Sequence, residues 1–471
     1  MEIKDLSVIE MVDLIKSKKL SAAAVCEYYL KRIEKAKEYN AIIEVFADCV
    51  DKAKQIDEKI KSDIPCGKLV GIPVIIKDNI MYGGKTMTCA SKFLKGFVSP
   101  YTSTVVKKLL DEDAIIIARA NMDEFAMGGS CEKSVYGATL NACDKSRVAG
   151  GSSGGSAVSV KLDLAPIAIG TDTGGSIRQP SSFNGVVGIK PTYGTVSRYG
   201  LVAFASSTDQ AGPITKSIED NEYVIDIISG KDEYDQTSID NKISSQQTRD
   251  KIVVGLCKEL KEKIQSLASY PLFKKQIEDL RAQGIEIKEI SVPHISSSLA
   301  CYYILTPAEA ASNLARFDGV KYAVRDADAK TIDDIYVKSR SAGFGEEVKR
   351  RIMLGNFVLS SGYFDAYYKK AKQLQLLLKQ EFNKAFDSCD VIITPTTPGE
   401  AFKLGEKAAD PVQMYLEDLF TVPASIAGVP ALSIDYAKGE NGLPLGLQLI
   451  GKPKTERNIY KLAKIIKKER K

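Results

Sequence analysis

The chain has 471 residues, of which 44% are apolar and 27% are charged, and 65 basic against 60 acidic side chains give a net charge of +5. This near balance argues against a strongly basic nucleic-acid-binding protein, and the lack of any apolar run of about eighteen residues argues against a membrane span. Nine scattered cysteines without a C-x-x-C pair, and an N-terminus without a signal peptide, predict a cytoplasmic protein with reduced thiols.

Histidine occurs once, at His294, in a serine-rich segment with no acid beside it. Ser-His-Asp and Cys-His catalysis, and most zinc sites, would have to be built on this one residue. We therefore interpret His294 as a loop or packing residue and predict no metal site. Any acid–base chemistry is expected to use Lys, Tyr, Asp, Glu or Cys.

The N-terminal region ends at a lysine that follows an apolar run. Residues 7–62 have the periodicity of helices, beginning with a Ser-x-x-Glu capping box at Ser7. Residues 71–76 form a short β-rich run directly before Lys77. Such a lysine is paired, for example with Asp78, or sits at a solvated strand end, or acts in a site where burial lowers its pKa. The residues leave these alternatives open, and the scarcity of histidine raises the weight of the last.

Two glycine–serine clusters between residues 150 and 180 flank an apolar run at 164–169 that predicts a buried strand. The first cluster, 150–156, has too little side chain to pack a core, and the second, 171–176, would form the turn after the strand. Open α/β sheets bind ligands at that edge, and a serine among free N–H groups there is suited to nucleophilic attack. A phosphate loop is disfavoured because neither cluster continues into Gly-Lys-Ser/Thr. A purely structural turn remains the alternative.

The other elements alternate between helical and strand-like patterns. In chain order they are a helix at 103–111, a strand at 114–118, a polar turn at 119–125, turn-rich pieces at 185–191 and 209–213, a polar surface excursion at 231–250, and strands at 251–256, 285–292, 391–394, 431–436 and 444–451. The alternation predicts an α/β protein with one large mixed β-sheet covered by helices on both faces.

The last twenty residues, 452–471, contain nine basic and two acidic side chains together with an apolar stripe. This pattern predicts an amphipathic terminal helix. Its basic face has two interpretations, solvent exposure or contact with RNA, of which the first is favoured.

Three stretches together resemble the amidase signature family: the strand that ends in Lys77-Asp78-Asn79, the whole of 150–180 with its spacing, and the Asp-Gln-Ala-Gly-Pro segment at 209–213. The resemblance implies the amidase signature fold and a Ser–Ser–Lys triad. It assigns the nucleophile to Ser176, the bridging serine beside a cis peptide to Ser152, and the base to Lys77.

The same resemblance implies an oxyanion hole made by the backbone N–H groups of Thr173, Gly174, Gly175 and Ser176. Ser153, which is close to Ser152, matches no proton-transfer position. We interpret it, like the nearby Ser156, as a turn former.

The resemblance also treats residues 1–471 as a single amidase signature domain. It divides into an N-terminal helical arm (1–65), a catalytic core (66–215) and a remainder (216–471). The remainder is expected to complete the sheet and to contribute the substrate pocket and the terminal helix.

Within the family, the chain is most similar to the glutamine-hydrolysing A subunits of tRNA-dependent amidotransferases, and the similarity runs nearly end to end. It implies that Tyr302, Arg351 and Asp418 hold glutamine. A free amino acid carries a carboxylate and an ammonium, and Arg351 and Asp418 have the matching charges. Tyr302 is the less secure of the three because Tyr303 is adjacent.

The resemblance further implies a heterotrimer with B and C subunits. In such an assembly the partner would use ATP and Mg to amidate Glu-tRNA(Gln), and often Asp-tRNA(Asn), with ammonia supplied by the present chain. The chain itself would need no cofactor and would meet tRNA mainly through its partner.

Two alternatives remain at this point. A stand-alone amidase for another small amide would not need Arg351 and Asp418 together. A catalytically silent scaffold would be indicated by a broken triad, whereas all three triad positions are occupied here.

Overall fold

The computed structural model describes residues 2–322, 324–407 and 410–468, and these form one eleven-stranded sheet. Its strands are β1 (Ile42–Val45), β2 (Pro73–Lys77), β3 (Ile115–Ala120), β4 (Ile167–Asp172), β5 (Val187–Lys190), β6 (Gln210–Thr215), β7 (Val253–Cys257), β8 (Glu286–Ile290), β9 (Val391–Pro395), β10 (Ala431–Lys438) and β11 (Pro444–Gly451). Their order across the sheet is β1-β3-β2-β4-β6-β5-β10-β11-β9-β7-β8. β2 runs parallel to β3 and β4, and β7 runs parallel to β8 and β9, whereas the other neighbours are antiparallel.

Helices cover the sheet. In the described residues they are α1 (Val8–Lys16), α2 (Ala22–Lys35), α3 (Cys49–Lys61), α4 (Thr104–Asp111), α5 (Gly154–Lys161), α6 (Arg178–Asn184), α7 (Ile218–Ile228), α8 (Lys261–Gln265), α9 (Tyr270–Ala282), α10 (Ser298–Asn313), α11 (Ile332–Gly343), α12 (Glu346–Leu359), α13 (Lys370–Ala385), α14 (Pro411–Leu416), α15 (Val422–Ala427) and α16 (Glu456–Lys468). Every residue of β2, β4 and β6 is buried. Because successive strand residues point to opposite faces, both faces must be covered. The predicted mixed α/β fold is confirmed, and none of the described helices is long and apolar enough to cross a membrane.

The predicted N-terminal helices are present, but the arm also contains a strand. Ser7 caps α1 with the predicted box, in which its hydroxyl accepts from the N–H of Glu10. The all-helical prediction for 7–62 is wrong at β1, which pairs antiparallel with β3. β1 has only four residues, and its partner lies more than 70 positions away in the sequence. A local helical pattern does not reveal pairing at that distance.

Two segments predicted as turn-rich pieces are central strands. β5 lies within 185–191, and β6 begins one residue into 209–213. Glycine marks close packing there, because a Cβ on Gly212 would lie 2.1 Å from the carbonyl oxygen of Ile189. In addition, Thr171, predicted as the start of a turn, belongs to the end of β4.

The first glycine–serine cluster is wholly buried, contrary to the expectation that it lies outside the core. Its glycines allow backbones to touch: a Cβ on Gly155 would lie 2.4 Å from the carbonyl oxygen of Asn121 and 2.6 Å from that of Ala41. The lack of side chains therefore serves close packing, which brings α5 against the end of β3.

The terminal helix α16 forms as predicted, although residues 469–471 lie outside the described residues. Its basic side chains contact the chain itself: Lys461 donates to the carbonyls of Arg249 and Asp250, and Lys464 pairs with Glu222. The predicted excursion at 231–250 is thus tied to this helix. The contacts account for part of the basic face without RNA.

We predict that Gly155→Ala lowers the free energy of unfolding by roughly 2 kcal/mol, because its methyl group would overlap backbone atoms that cannot rotate away. Urea denaturation followed by far-UV circular dichroism measures the change. Gly399→Ala is the matched control, since no atom lies within 4 Å of a Cβ at that position. Equal stability of the two variants would contradict the packing argument.

Candidate active site

Three strand ends meet at one edge of the sheet. β2 and β4 are parallel, with Ile76 beside Ile169, so their carboxyl ends lie together. Lys77 closes β2, and the loop 173–176 follows β4. β6 is antiparallel to β4, which brings Asp209, the residue before β6, to the same edge. The sheet topology therefore gathers residues that are far apart in the sequence.

Lys77 is fully buried among hydroxyl groups. Its Nζ lies 2.7 Å from the Oγ of Ser152, 2.9 Å from the Oγ of Ser153 and 2.9 Å from the Oγ1 of Thr171. No carboxylate in the described residues lies within ion-pair distance of it. Burial lowers the pKa of Lys77 to about 7, although the charges of Asp123 and Asp172 partly oppose the shift. The amine is thus held in a form that can exchange a proton near neutral pH.

The contacts of Lys77 exclude two of the three alternatives that the sequence left open. Pairing with Asp78 is wrong, since that carboxylate faces the guanidinium of Arg119 at 3.5 Å. A solvated strand end is wrong as well, because Lys77 has no exposed surface. Ser153 is more than a turn former, since it contacts Lys77 directly and donates to the carbonyl of Thr171 at 3.0 Å.

The loop carrying Ser152 is held against the loop carrying Ser176. The peptide between Gly151 and Ser152 is cis, as the family resemblance implies. The N–H of Ser153 donates to the carbonyl of Ser176 at 3.1 Å. Beneath this loop, the buried carboxylate of Asp123 lies 2.0 Å from where a Cβ on Gly151 would stand, so only glycine fits there.

The turn 173–176 presents unused backbone donors. No acceptor within the described part of the chain takes up the N–H groups of these four residues. Two contacts fix the turn. The hydroxyl of Thr173 donates to Asp209 at 2.7 Å. The ring of Tyr302 packs directly on Gly174, where a Cβ would lie 2.6 Å from it. Burial raises the pKa of Asp209 to about 6. Four free donors in one turn form a cradle suited to an anionic oxygen.

A buried ion pair anchors the start of α6 behind this turn. The guanidinium of Arg178 contacts both carboxylate oxygens of Asp172, at 2.9 and 3.0 Å. Arg178 also donates to the carbonyl of Thr421 and to the side chain of Gln448, so the charges are well satisfied. The bidentate contact fixes both ends of the turn, because Asp172 precedes it and Arg178 follows it.

Arg351 lies in an aromatic cage. Its guanidinium carbon is 5.4 Å from the ring centre of Phe204, 5.5 Å from that of Tyr303 and 5.7 Å from that of Tyr415. Its Nε donates to Glu347 at 2.8 Å, one helical turn earlier on α12. The role of Glu347 was not predicted from the sequence, although the i, i+4 spacing of an acid and a base was the available signal.

Asp418 contacts Tyr303, one of the three rings of the cage. The hydroxyl of Tyr303 donates to its Oδ2 at 2.8 Å, and burial raises the pKa of this carboxyl to about 7. Tyr302 instead packs on Gly174 and meets Tyr303 edge-on, with ring centres 5.0 Å apart. The two adjacent tyrosines therefore have different contacts: Tyr302 packs against the turn, and Tyr303 binds Asp418.

The structure separates His294 from this cluster. It lies in a turn before a short 3-10 helix, with its Nδ1 2.6 Å from Glu381, so the predicted loop role is confirmed. Among the described residues, no group of three or more His, Cys, Asp or Glu side chains could hold a metal ion.

The chain matches the family of amidases over residues 24–459. It is 47% identical to a glutamyl-tRNA(Gln) amidotransferase A subunit from Clostridium acetobutylicum, over 100% of both chains. The corresponding A subunit from Persephonella marina is 48% identical, with 98% of this chain and 97% of the relative covered.

Solved structures show the same fold. The glutamyl-tRNA(Gln) amidotransferase A subunit from Thermotoga maritima is 37% identical with a TM-score of 0.78, covering 98% of this chain and 94% of its own. The peptide amidase of Stenotrophomonas maltophilia is 26% identical with a TM-score of 0.81, covering 99% and 97%.

The lowered pKa of Lys77 predicts a pH-dependent cost of folding. Between pH 7 and the pKa that Lys77 has in the unfolded chain, the unfolded state binds a proton at this residue that the folded state lacks. The contribution of Lys77 to the free energy of unfolding therefore rises with pH. The stability gained by Lys77→Met should therefore shrink as pH rises, with a slope approaching about 1.4 kcal/mol per pH unit. Denaturation at pH 6.5, 8 and 9.5 measures this, with Lys19→Met at an exposed position as control. A pH-independent difference would contradict a neutral Lys77.

Proposed function

The chain belongs to the amidase family, and we propose that within this family it is the glutamine-hydrolysing component of a tRNA-dependent amidotransferase. The observation that carries the chemistry is the 2.7 Å contact between the buried Nζ of Lys77 and the Oγ of Ser152. An amine with a pKa of about 7 can act as a base for serine without any histidine.

The proposed acylation step is a proton relay through two serines. Neutral Lys77 takes the proton of Ser152, and Ser152 takes that of Ser176 as its Oγ attacks the carboxamide carbon of glutamine. The carbonyl oxygen becomes an oxyanion that accepts from the N–H groups of residues 173–176. Each such donor is worth roughly 3 kcal/mol of barrier in a preorganised site.

The relay then runs in reverse. Lys77 returns a proton through Ser152 to the leaving nitrogen, the C–N bond breaks, and ammonia departs from a glutamyl ester of Ser176. Water, deprotonated by the same relay, attacks the ester carbon and releases glutamate together with the free Ser176 hydroxyl. The proton balance closes, and the step requires no cofactor in this chain.

The charges of the cage support an amino acid as substrate. Arg351 has the planar donors that suit the α-carboxylate, and Asp418 has the charge that suits the α-ammonium. Since Nε of Arg351 already donates to Glu347, the α-carboxylate of the substrate would bind the two terminal nitrogens of the guanidinium. Tyr302 would pack beside the reacting carboxamide, because it lies on Gly174 of the turn.

Near-half identity over the full length to relatives named as amidotransferase A subunits supports an assembly with B and C subunits. In that assembly the partner would use ATP and Mg to activate the carboxylate of Glu-tRNA(Gln), or of Asp-tRNA(Asn), for attack by the ammonia. The balanced charge of this chain agrees with tRNA contact made mainly by the partner.

We expect the chain, co-expressed with its partner subunits, to release ammonia from glutamine and Ser176→Ala to lose at least about 10³-fold in kcat, since the nucleophile is removed. A coupled ammonia assay measures this. Ser159→Ala is a matched control, because its buried hydroxyl donates to the carbonyl of Gly155 within α5 and has no other partner among the described residues.

Other outcomes would point elsewhere. Ser176-dependent hydrolysis of simple amides but not of glutamine, indifferent to partners, would indicate a stand-alone amidase. No Ser176-dependent release from any amide would leave a scaffold.

The pH dependence of kcat should report Lys77. Because only the neutral amine accepts a proton, kcat at saturating glutamine should fall as pH drops through about 7. The ratio kcat/KM should fall more steeply, since Asp418 gains its proton in the same range and loses its attraction for the ammonium. Steady-state rates from pH 5.5 to 9 test both decreases. In Asp418→Asn, only the decrease caused by protonation of Lys77 should remain. A kcat that stays flat across this range would be inconsistent with a lysine base.

A further inference from the structure

Gln179 holds a buried donor without a partner at the centre of the site. The residue is fully buried on the first turn of α6, three positions after Ser176. Its Oε1 accepts from the N–H of Gly151 at 2.8 Å, and Gly151 directly precedes Ser152. Since that contact requires an oxygen, the other end of the amide must be the nitrogen.

The nitrogen has no acceptor among the described residues. Leaving a buried N–H group unpaired costs about as much as losing a hydrogen bond, so such groups are rare and call for an explanation. An alternative orientation does not help, because a flipped amide would set its nitrogen against the N–H of Gly151. The orphan donor is therefore a fixed property of the site.

The surroundings of Nε2 indicate what it faces. A Cβ built on Gly129 would have two neighbours within 4 Å, Nε2 of Gln179 at 3.5 Å and Sδ of Met414 at 3.6 Å. The next residue, Tyr415, forms one wall of the Arg351 cage and stacks on Tyr303 at 3.8 Å. The amide of Gln179 thus contacts Gly151 beside Ser152 at its oxygen, and its nitrogen lies near Met414, the sequence neighbour of the cage residue Tyr415.

We propose that Nε2 of Gln179 donates to an α-carboxylate oxygen of the substrate, as a specificity-determining contact that adds to Arg351. This assignment rests on the proposed glutaminase function and deepens it. A carboxylate is the acceptor that best offsets the cost of burying this donor, because hydrogen bonds to charged groups are stronger than those to neutral groups. The contact would also tie substrate recognition to the Gly151–Ser152 peptide, since the same amide group serves both.

The test is Gln179→Glu, which keeps the shape and the oxygen that accepts from Gly151 but replaces the donor with a negatively charged oxygen. The full chain with its partner subunits is assayed on glutamine and on 4-aminobutanamide, which is glutamine without its carboxylate. We expect kcat/KM for glutamine to fall at least about 10-fold more than kcat/KM for 4-aminobutanamide, mostly through KM. Gln375→Glu is a matched control, because Gln375 is also buried and its side chain accepts from Lys372 on α13, at 2.7 Å.

Equal losses on both substrates would overturn the proposal, because they would indicate a structural role or an action on the hydrolytic water. Unchanged kinetics on both would overturn it as well. If the wild-type chain hydrolyses 4-aminobutanamide but not glutamine, the proposed function fails and this assignment fails with it. If the wild type hydrolyses glutamine and the variant keeps its selectivity, only the Gln179 assignment fails.

Discussion

The burial of one amine without a counter-charge governs the arrangement of this site. Taking Lys77 out of water disfavours its charged form, and hydroxyl groups satisfy its hydrogen bonds without restoring the charge. A carboxylate at ion-pair distance would raise the pKa of the amine and keep it protonated at neutral pH, so that it could not accept a proton. Two of the acids whose charges act on Lys77 are bonded elsewhere: Asp123 accepts from the N–H groups of Cys131 and Lys133, and Asp172 pairs with Arg178. The proposed chemistry depends on this separation of charges as much as on the proposed triad.

The sheet topology fixes the positions of the site residues more precisely than loops alone would. β2 and β4 end side by side because they are parallel, and the antiparallel β6 returns Asp209 to the same edge. Glycine is required where these pieces touch, as at Gly151 against Asp123 and at Gly174 against Tyr302. Rigid strands and close backbone contacts together hold Lys77 within hydrogen-bonding distance of Ser152 and Ser153.

Long, strongly patterned elements were predictable from the sequence, and non-local pairings were not. β11 was predicted to the residue, because a continuous apolar run between turn residues has few other interpretations. β1 and β6 were missed, since one is short and the other contains Gly212 and Pro213, which locally suggest a turn. The position of Lys77 after its strand was visible in the sequence, but its hydroxyl neighbours Ser153 and Thr171 depend on the pairing of β2 with β4. Likewise, the orphan nitrogen of Gln179 is defined only by tertiary contacts.

The two edges of the sheet differ in how pairing with a strand of another chain is prevented. At one edge the arm places β1 along β3, so that β3, the neighbour of β2, is paired on both sides. At the other, β8 exposes the charged residues Glu286, Lys288 and Glu289, which discourage a further strand from adding on. A chain shortened past β1 would keep Lys77, Ser152 and Ser176 yet uncover the edge of the buried strand β3, next to β2. The arm thus covers the edge of β3, where an unpaired strand could pair with another chain.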